Sequence, residues 1–288
     1  MRREAARTLH TLSAEYQRGV SADDYEIIAI DNGSPDPLRT EDVEKFGDNF
    51  RFIDFNPDGP SPAKAVNHGV KSAQSDHVAV IVDGARMVSP GIIRATIDAL
   101  LDDKPFVTTL AWHLGPDVQN KSMQRGYNQV FEDAMLAGTG WEDDGYRLFA
   151  VSILAQSSKL GLGGGFPHEC SWFAMGRAHY LAMGGYDARF QSPGGGLVNH
   201  EFVQRLFSDD IVQARVLMGE GSFHQYHGGI ATNATEASHP WPVFAAEYVE
   251  IFGEDYDPQR PLPTPLYVGR VHPLATRFVS GTLSADIF

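Results

Sequence analysis

The sequence predicts an α/β fold with a mostly parallel sheet flanked by helices, built as a single domain in two lobes. Three observations lead there. Short apolar strand runs alternate with amphipathic helical stretches through the first 112 residues, the order in which βαβ crossovers are laid down. The run "HVAVIV" at 77–82 is apolar without a break, as in a strand covered on both faces. Turn residues punctuate the segments at strand and helix lengths.

Residues 1–18 place Ala5, Leu9, Leu12 and Tyr16 on one helical stripe. This helix opens without a capping residue and with Arg2 and Arg3 in its first turn, against the helix dipole. "YEIIAI" (25–30) is a strand that stops at the turn-rich "DNGSPDP", and "FRFIDF" (50–55) is a second. "SPAKAVNHGVKSAQ" (61–74) reads as a helix with Ala65, Val66, Val70 and Ala73 inside, and 77–82 as the third strand. "SPGIIRATIDALL" (89–101) starts with serine and a proline suited to the first helical position. "PFVTTLAW" (105–112) is the fourth strand.

The alternation then loosens. A helix is expected at 141–158, a loop at 160–167, a strand at 170–176, a helix at 198–208 and a strand near 214–218. The proline-rich 257–273 is expected to wrap the body as extended chain. The division expected is a ligand-binding lobe at 1–113, a second lobe at 114–256 and a tail at 257–288.

Composition narrows the partners. Twenty-three basic against 37 acidic residues leave a charge of −14, so no basic surplus is present to displace counterions from a nucleic acid. A small phosphorylated ligand needs only a local positive site. The single cysteine, Cys170, cannot form a disulfide within the chain, and no run reaches the ~18 apolar residues of a membrane span. A cytoplasmic location is the expectation.

Ligands of open α/β sheets bind beyond the carboxyl ends of the strands. Two runs end there in an acid, Asp31 in "AIDNGS" and Asp83 in "VIVDGA". Asp31 suits both a nucleoside contact and a plain turn. In "FHQYHGG" (223–229), His224 and His227 are three apart. Strand geometry would send them to opposite faces unless the chain turns, and two histidines alone are a weak metal signal. His227, followed by two glycines, is the preferred ligand. "GLGGGF" and "PGGGL" lie outside any βαβ unit and read as loops rather than phosphate cradles.

Four segments in this order resemble the family-2-type glycosyltransferases with the GT-A nucleotide-sugar-binding fold: 3–36, 56–85, "WFAMGRAHYLAMGGYDARF" at 172–190 and "GGGLVNHEFVQRL" at 194–206. The resemblance implies an enzyme that moves a sugar from a nucleotide-diphosphate donor to a glycan or small-molecule acceptor, with inversion. It assigns Asp31, Ser34, Lys64 and Asp83 to the nucleotide sugar, with Asn67 buttressing. It also implies Mn²⁺ or Mg²⁺ on the diphosphate, held through an Asp-x-Asp signature. Here the second acid is Ala85, which weakens that expectation, and Arg86 is placed to neutralise phosphate directly. His227 is the candidate metal ligand. The usual base position falls on Asn199, an amide that cannot take a proton, so Glu201 and Glu169 become the candidate bases. The resemblance also implies a strand ahead of the first helix, which the chain as given lacks. The alternative expectation is a non-catalytic relative that binds a nucleotide or glycan. A nucleotidyltransferase is a third, disfavoured by the scarcity of carboxylates.

Overall fold

Strands β1 (Ile27–Asn32) and β2 (Phe50–Phe55) pair in parallel from Ile27↔Phe50 to Asn32↔Phe55 and form a small sheet of their own. The computed structural model describes residues 2–278 apart from 57, 83, 102–103, 209–211, 230–233 and 235–237. The larger sheet runs in the order β3 (His77–Ile81), β7 (Trp172–Gly176), β5 (Pro105–Leu114), β8 (Gln213–His224), β4 (Arg86–Val88). Beside that path, β6 (Ser152–Leu154) pairs with β5, and β9 (Leu266–Val268) with β8.

The α/β class is as expected, but the sheet is mixed rather than mostly parallel. β5 and β8 are parallel, as are β8 and β9, whereas the β3–β7, β5–β7, β4–β8 and β5–β6 pairings are antiparallel. The strands that reverse the direction are β4, which follows directly on β3, β7, which is inserted between β3 and β5, and the short β6 beside β5. β3 is also not covered on both faces: Val78 and Val80 are buried, while His77 and Ala79 are exposed. The strand buried nearly throughout is β5, the centre of the sheet.

The helices fall close to their sequence signals in the first half. They are α1 (Arg2–Thr11), α3 (Ala63–Ser72) and α4 (Ile92–Ala99), with Leu9, Ile92 and Ile93 packed into one cluster with Phe50, Val88 and Trp172. α2 (Thr40–Glu44), α5 (Gln119–Gln124) and α6 (Gln129–Ala137) carried too little periodicity to be expected. The helix expected at 141–158 is absent. In its place stand a 3₁₀ turn at Gly145–Val151, β6, and a second 3₁₀ turn at Gln156–Gly161. β6 forms because Ser152, Ile153 and Leu154 find an open edge on β5, and ladder bonds with that edge outweigh local helical preference.

The main core runs from Tyr16 to Ala275 and is centred on Phe106, Phe149, Phe173, Phe202 and Phe223. Each such ring contributes roughly 1.5–3 kcal/mol by leaving water. α7 (Arg177–Ala182) and α8 (Val198–Leu206) follow β7, and α9 (Trp241–Phe252) follows β8. The lead into α8 uses three consecutive left-handed glycines, Gly194, Gly195 and Gly196. A Cβ on Gly196 would come within 2.9 Å of Glu247, whose carboxylate receives the Gln191 and Ser192 N–H groups. The tail is extended as expected and adds β9 to the sheet.

Candidate functional site

β8 carries an irregularity that sets the site. The β5–β8 register jumps from Thr109↔Leu217 to Leu110↔Gly221, leaving Met218, Gly219 and Glu220 unpaired. Gly221 is required there, because a Cβ would lie 2.8 Å from the Trp112 ring. Without the three extra residues, His113 would stand opposite Gly221. With them it stands opposite His224, and His224 in turn stands opposite Arg86 of β4. Directly opposed residues share a face of the sheet, so Arg86, His224 and His113 form one row. Bulges of this kind commonly re-aim side chains next to active sites.

Arg86 is the distinctive member. Only 9% of it is exposed, its Nε is buried without a partner, and no carboxylate pairs with it among the described residues. A buried guanidinium is costly unless something anionic meets it, and this chain has 14 more acids than bases from which to supply a partner. His113 accepts the Gln119 N–H on Nδ1 at 3.0 Å. Burial, and then the nearby His224 and Arg86, pull its pKa down to about 3. It is therefore neutral and carries its proton on Nε2, a hydrogen-bond donor for an anion. His224 and His227 face each other at 3.1 Å between their Nε2 atoms. The chain turns after β8 ends at His224, so both imidazoles reach the same place rather than opposite faces.

The loop before Arg86 is anchored from two sides. Thr8 Oγ1 donates to the Gly84 carbonyl at 2.8 Å, and the Gln225 N–H donates to the Ala85 carbonyl at 2.8 Å. Asp83 itself lies outside the described residues. Ala85 is fully buried, so the position that would carry a second acid faces protein. Among the described residues no group of three or more His, Cys, Asp or Glu side chains is set out as metal ligands. A hard divalent cation prefers carboxylate oxygens, and the described side chains of this row, imidazoles and a guanidinium, supply none.

The remaining sequence candidates divide. Asp31 and Ser34 come together, but through the backbone: Asp31 Oδ1 accepts the Ser34 N–H at 2.7 Å, a turn at the end of β1. Lys64 is engaged by both oxygens of Asp58 at 2.7 and 2.6 Å on the surface. Asn67 ties α3 to Tyr180 and Tyr186, accepting from the Tyr180 hydroxyl and the Tyr186 N–H and donating to the Tyr186 carbonyl. No hydrogen bond joins this group to the Arg86 row among the described residues.

On the other side, Glu201 is 5% exposed and holds Arg205 through both oxygens, at 2.6 and 3.1 Å. Arg205 also donates to the Met183 and Gly185 carbonyls, so Glu201 orients a structural arginine. Asn199 is a clamp: Oδ1 accepts the Cys170 N–H, and Nδ2 donates to the Cys170 carbonyl and the Tyr186 hydroxyl. Glu169 is half-buried, and its carboxylate forms no hydrogen bond or ion pair among the described residues.

β7 is antiparallel to β3 and β5, so its beginning, with Glu169 and Cys170 just ahead, lies beside the end of β3 (Ile81↔Trp172) and the middle of β5 (Thr108↔Phe173). Ser171 and Ser222 join hydroxyls at 2.7 Å, two residues before His224. Sequence reasoning missed His113 and His200. His113 carries the same signal as Asp31 and Asp83, a polar residue closing a strand run, with an imidazole in place of an acid. His200 adjoins Asn199, the residue at the expected base position.

With that geometry in place, comparison with known proteins adds one finding. The family model described as "Glycosyl transferase family 2" matches residues 3–182. No curated protein matches the chain significantly.

Proposed function

Because the chain belongs to glycosyl transferase family 2, which carries the GT-A-type α/β architecture and supports glycosyltransferase activity in general, we propose that it transfers a sugar from a nucleotide-diphosphate donor, with inversion. The observation that carries the donor side is Arg86: a buried cation without a carboxylate partner among the described residues, in a row with two histidines. Such a group compensates the charge of a departing diphosphate. Asp31 and Asp83 are assigned to the nucleoside, with Ser34 and Lys64 at its margin, and His227 contacts the phosphates beside Arg86. Among the described residues the row offers imidazoles and a guanidinium rather than the oxygen ligands that Mn²⁺ or Mg²⁺ prefers.

In the reaction the acceptor oxygen bonds to the anomeric carbon from the face opposite the diphosphate. The bond from that carbon to the diphosphate oxygen breaks, and its electron pair leaves with the nucleotide. The acceptor proton passes toward the Glu169 corner, since Glu201 is occupied by Arg205.

The test is calorimetric titration of UDP, GDP and their sugars in EDTA. Binding is expected to persist without metal. Arg86→Ala should weaken it at least tenfold, the loss expected for hydrogen bonds to a charged partner, and Arg86→Lys should restore part of it. Binding that appears only with Mn²⁺ and ignores Arg86→Ala would overturn the metal-free assignment. Absence of nucleotide binding in any condition would favour a non-catalytic relative.

A further inference from the structure

The Asn199 clamp ties residue 199 to residue 170 by two hydrogen bonds of 3.0 Å. The segments that carry His200 and Glu169 are thereby brought together at the start of α8, near enough for the Glu169 charge to act on the imidazole. His200 is a half-buried ring whose Nδ1 is inside the protein without a partner. Its other nitrogen makes no hydrogen bond among the described residues either, which leaves the Nε2 edge facing outward. The ring is held instead by aromatic edges, Trp241 at 6.4 Å and 81° and Tyr256 at 5.9 Å and 85°. Buried polar groups are nearly always hydrogen-bonded, so an imidazole fixed in place with both nitrogens unused is poised for a ligand. Trp241 is 39% exposed beside it, an apolar surface next to a proton acceptor.

We propose that His200 is the catalytic base on the acceptor side, that Glu169 is the acid that stabilises its imidazolium electrostatically, and that the acceptor is a sugar whose apolar ring face rests on Trp241. This rests on the glycosyltransferase reading and deepens it. The acceptor O–H proton moves to His200 Nε2 while the oxygen's electron pair forms the new bond to the donor's anomeric carbon. The electron pair of the broken bond leaves with the diphosphate toward Arg86. The imidazolium, stabilised by the Glu169 carboxylate, then returns its proton to water. Burial lowers the His200 pKa, Glu169 opposes that effect, and His168 adds to it. The imidazole is thus neutral and able to accept near pH 7. The charged and titratable groups facing it are Glu169 and His168 ahead of β7 and Tyr256 after α9.

The full chain would be assayed with UDP-glucose, UDP-N-acetylglucosamine and GDP-mannose against cellobiose, chitobiose and mannobiose, with hydrolysis by water as the background reaction. His200→Gln and His200→Asn are expected to lower kcat at least a hundredfold, the range of a lost general base, while Kd for the nucleotide stays within twofold. Glu169→Gln should move the acid limb of the kcat profile to lower pH. Trp241→Leu should raise KM for the disaccharide and leave hydrolysis by water unchanged. Independently of turnover, the His200 ring signal in NMR should titrate below 6.5, and lower still in Glu169→Gln. Turnover within threefold of wild type in both His200 variants overturns the base assignment, and a His200 titration unmoved by Glu169→Gln overturns the pairing. If the wild type binds no nucleotide, the glycosyltransferase reading itself fails, and the NMR result still decides whether the pair exists.

Discussion

Asn199 occupies the position where an acid was sought, and its three hydrogen bonds explain the amide. The side chain must accept from the Cys170 N–H and donate to the Cys170 carbonyl at once, which a carboxylate cannot do. Asn199→Ala would strand a buried N–H and a buried carbonyl, each worth about 1–3 kcal/mol. A loss of about 2–4 kcal/mol in urea unfolding is the expected result. Asn199→Asp restores the acid that the family pattern leads one to expect, yet it should lower stability without raising turnover. A gain in kcat in that variant would show that position 199 is catalytic after all. The sequence displayed this amide plainly, but only the tertiary contact with Cys170 shows why it is there.

At the scale of elements, α1 is fastened to α6 by charge. Arg3 reaches Glu132, which is fully buried, at 3.1 Å, and Asp133 at 3.1 Å; Arg7 also binds Asp133, at 2.6 Å. Glu132 further accepts from the Tyr127 hydroxyl at 2.9 Å and the Tyr226 N–H at 2.8 Å. Burial raises its pKa, and these hydrogen bonds and arginines only partly oppose that effect. Arg3, set against the helix dipole of α1, therefore serves a partner on α6, and Arg2 likewise pairs with Asp42 of α2. Arg3→Ala leaves a buried carboxylate short of a cation and should cost on the order of 3 kcal/mol. Replacing Glu132 by Gln in the same background should recover part of that loss, and thermal unfolding of the single and double variants measures both. The same scale explains β6, where an open edge on β5 overrode a helical pattern at 152–154.

Across the whole molecule, the buried histidines set an acid limit. His113 stays neutral in the folded chain down to about pH 3, whereas the unfolded chain protonates it near its ordinary 6.5. Its contribution is therefore complete above pH 6.5 and is lost as the pH falls from there toward 3, by up to about 1.4 kcal/mol per pH unit. His200, also lowered, acts in the same direction. Glu132 and Glu220 are raised by burial and act the other way, favouring the folded state as pH falls toward the ordinary carboxylate range. Urea midpoints between pH 7 and 5 should fall in the wild type and fall less in His113→Asn; parallel slopes in the two proteins would sink this account. No helix of the described residues is long and apolar enough to cross a membrane. What the sequence determined by itself was the α/β class, the early strands and helices, and the family resemblance. All of these rest on local periodicity, turn chemistry and motif order, which a linear chain displays. Only the tertiary structure decided the mixed strand directions, the row of Arg86, His224 and His113, and the clamp of Asn199 on Cys170. Each depends on a register, a bulge or a clamp between residues tens to more than a hundred positions apart, and pairings at that separation are set by which edges and cavities remain to be filled once the chain has packed.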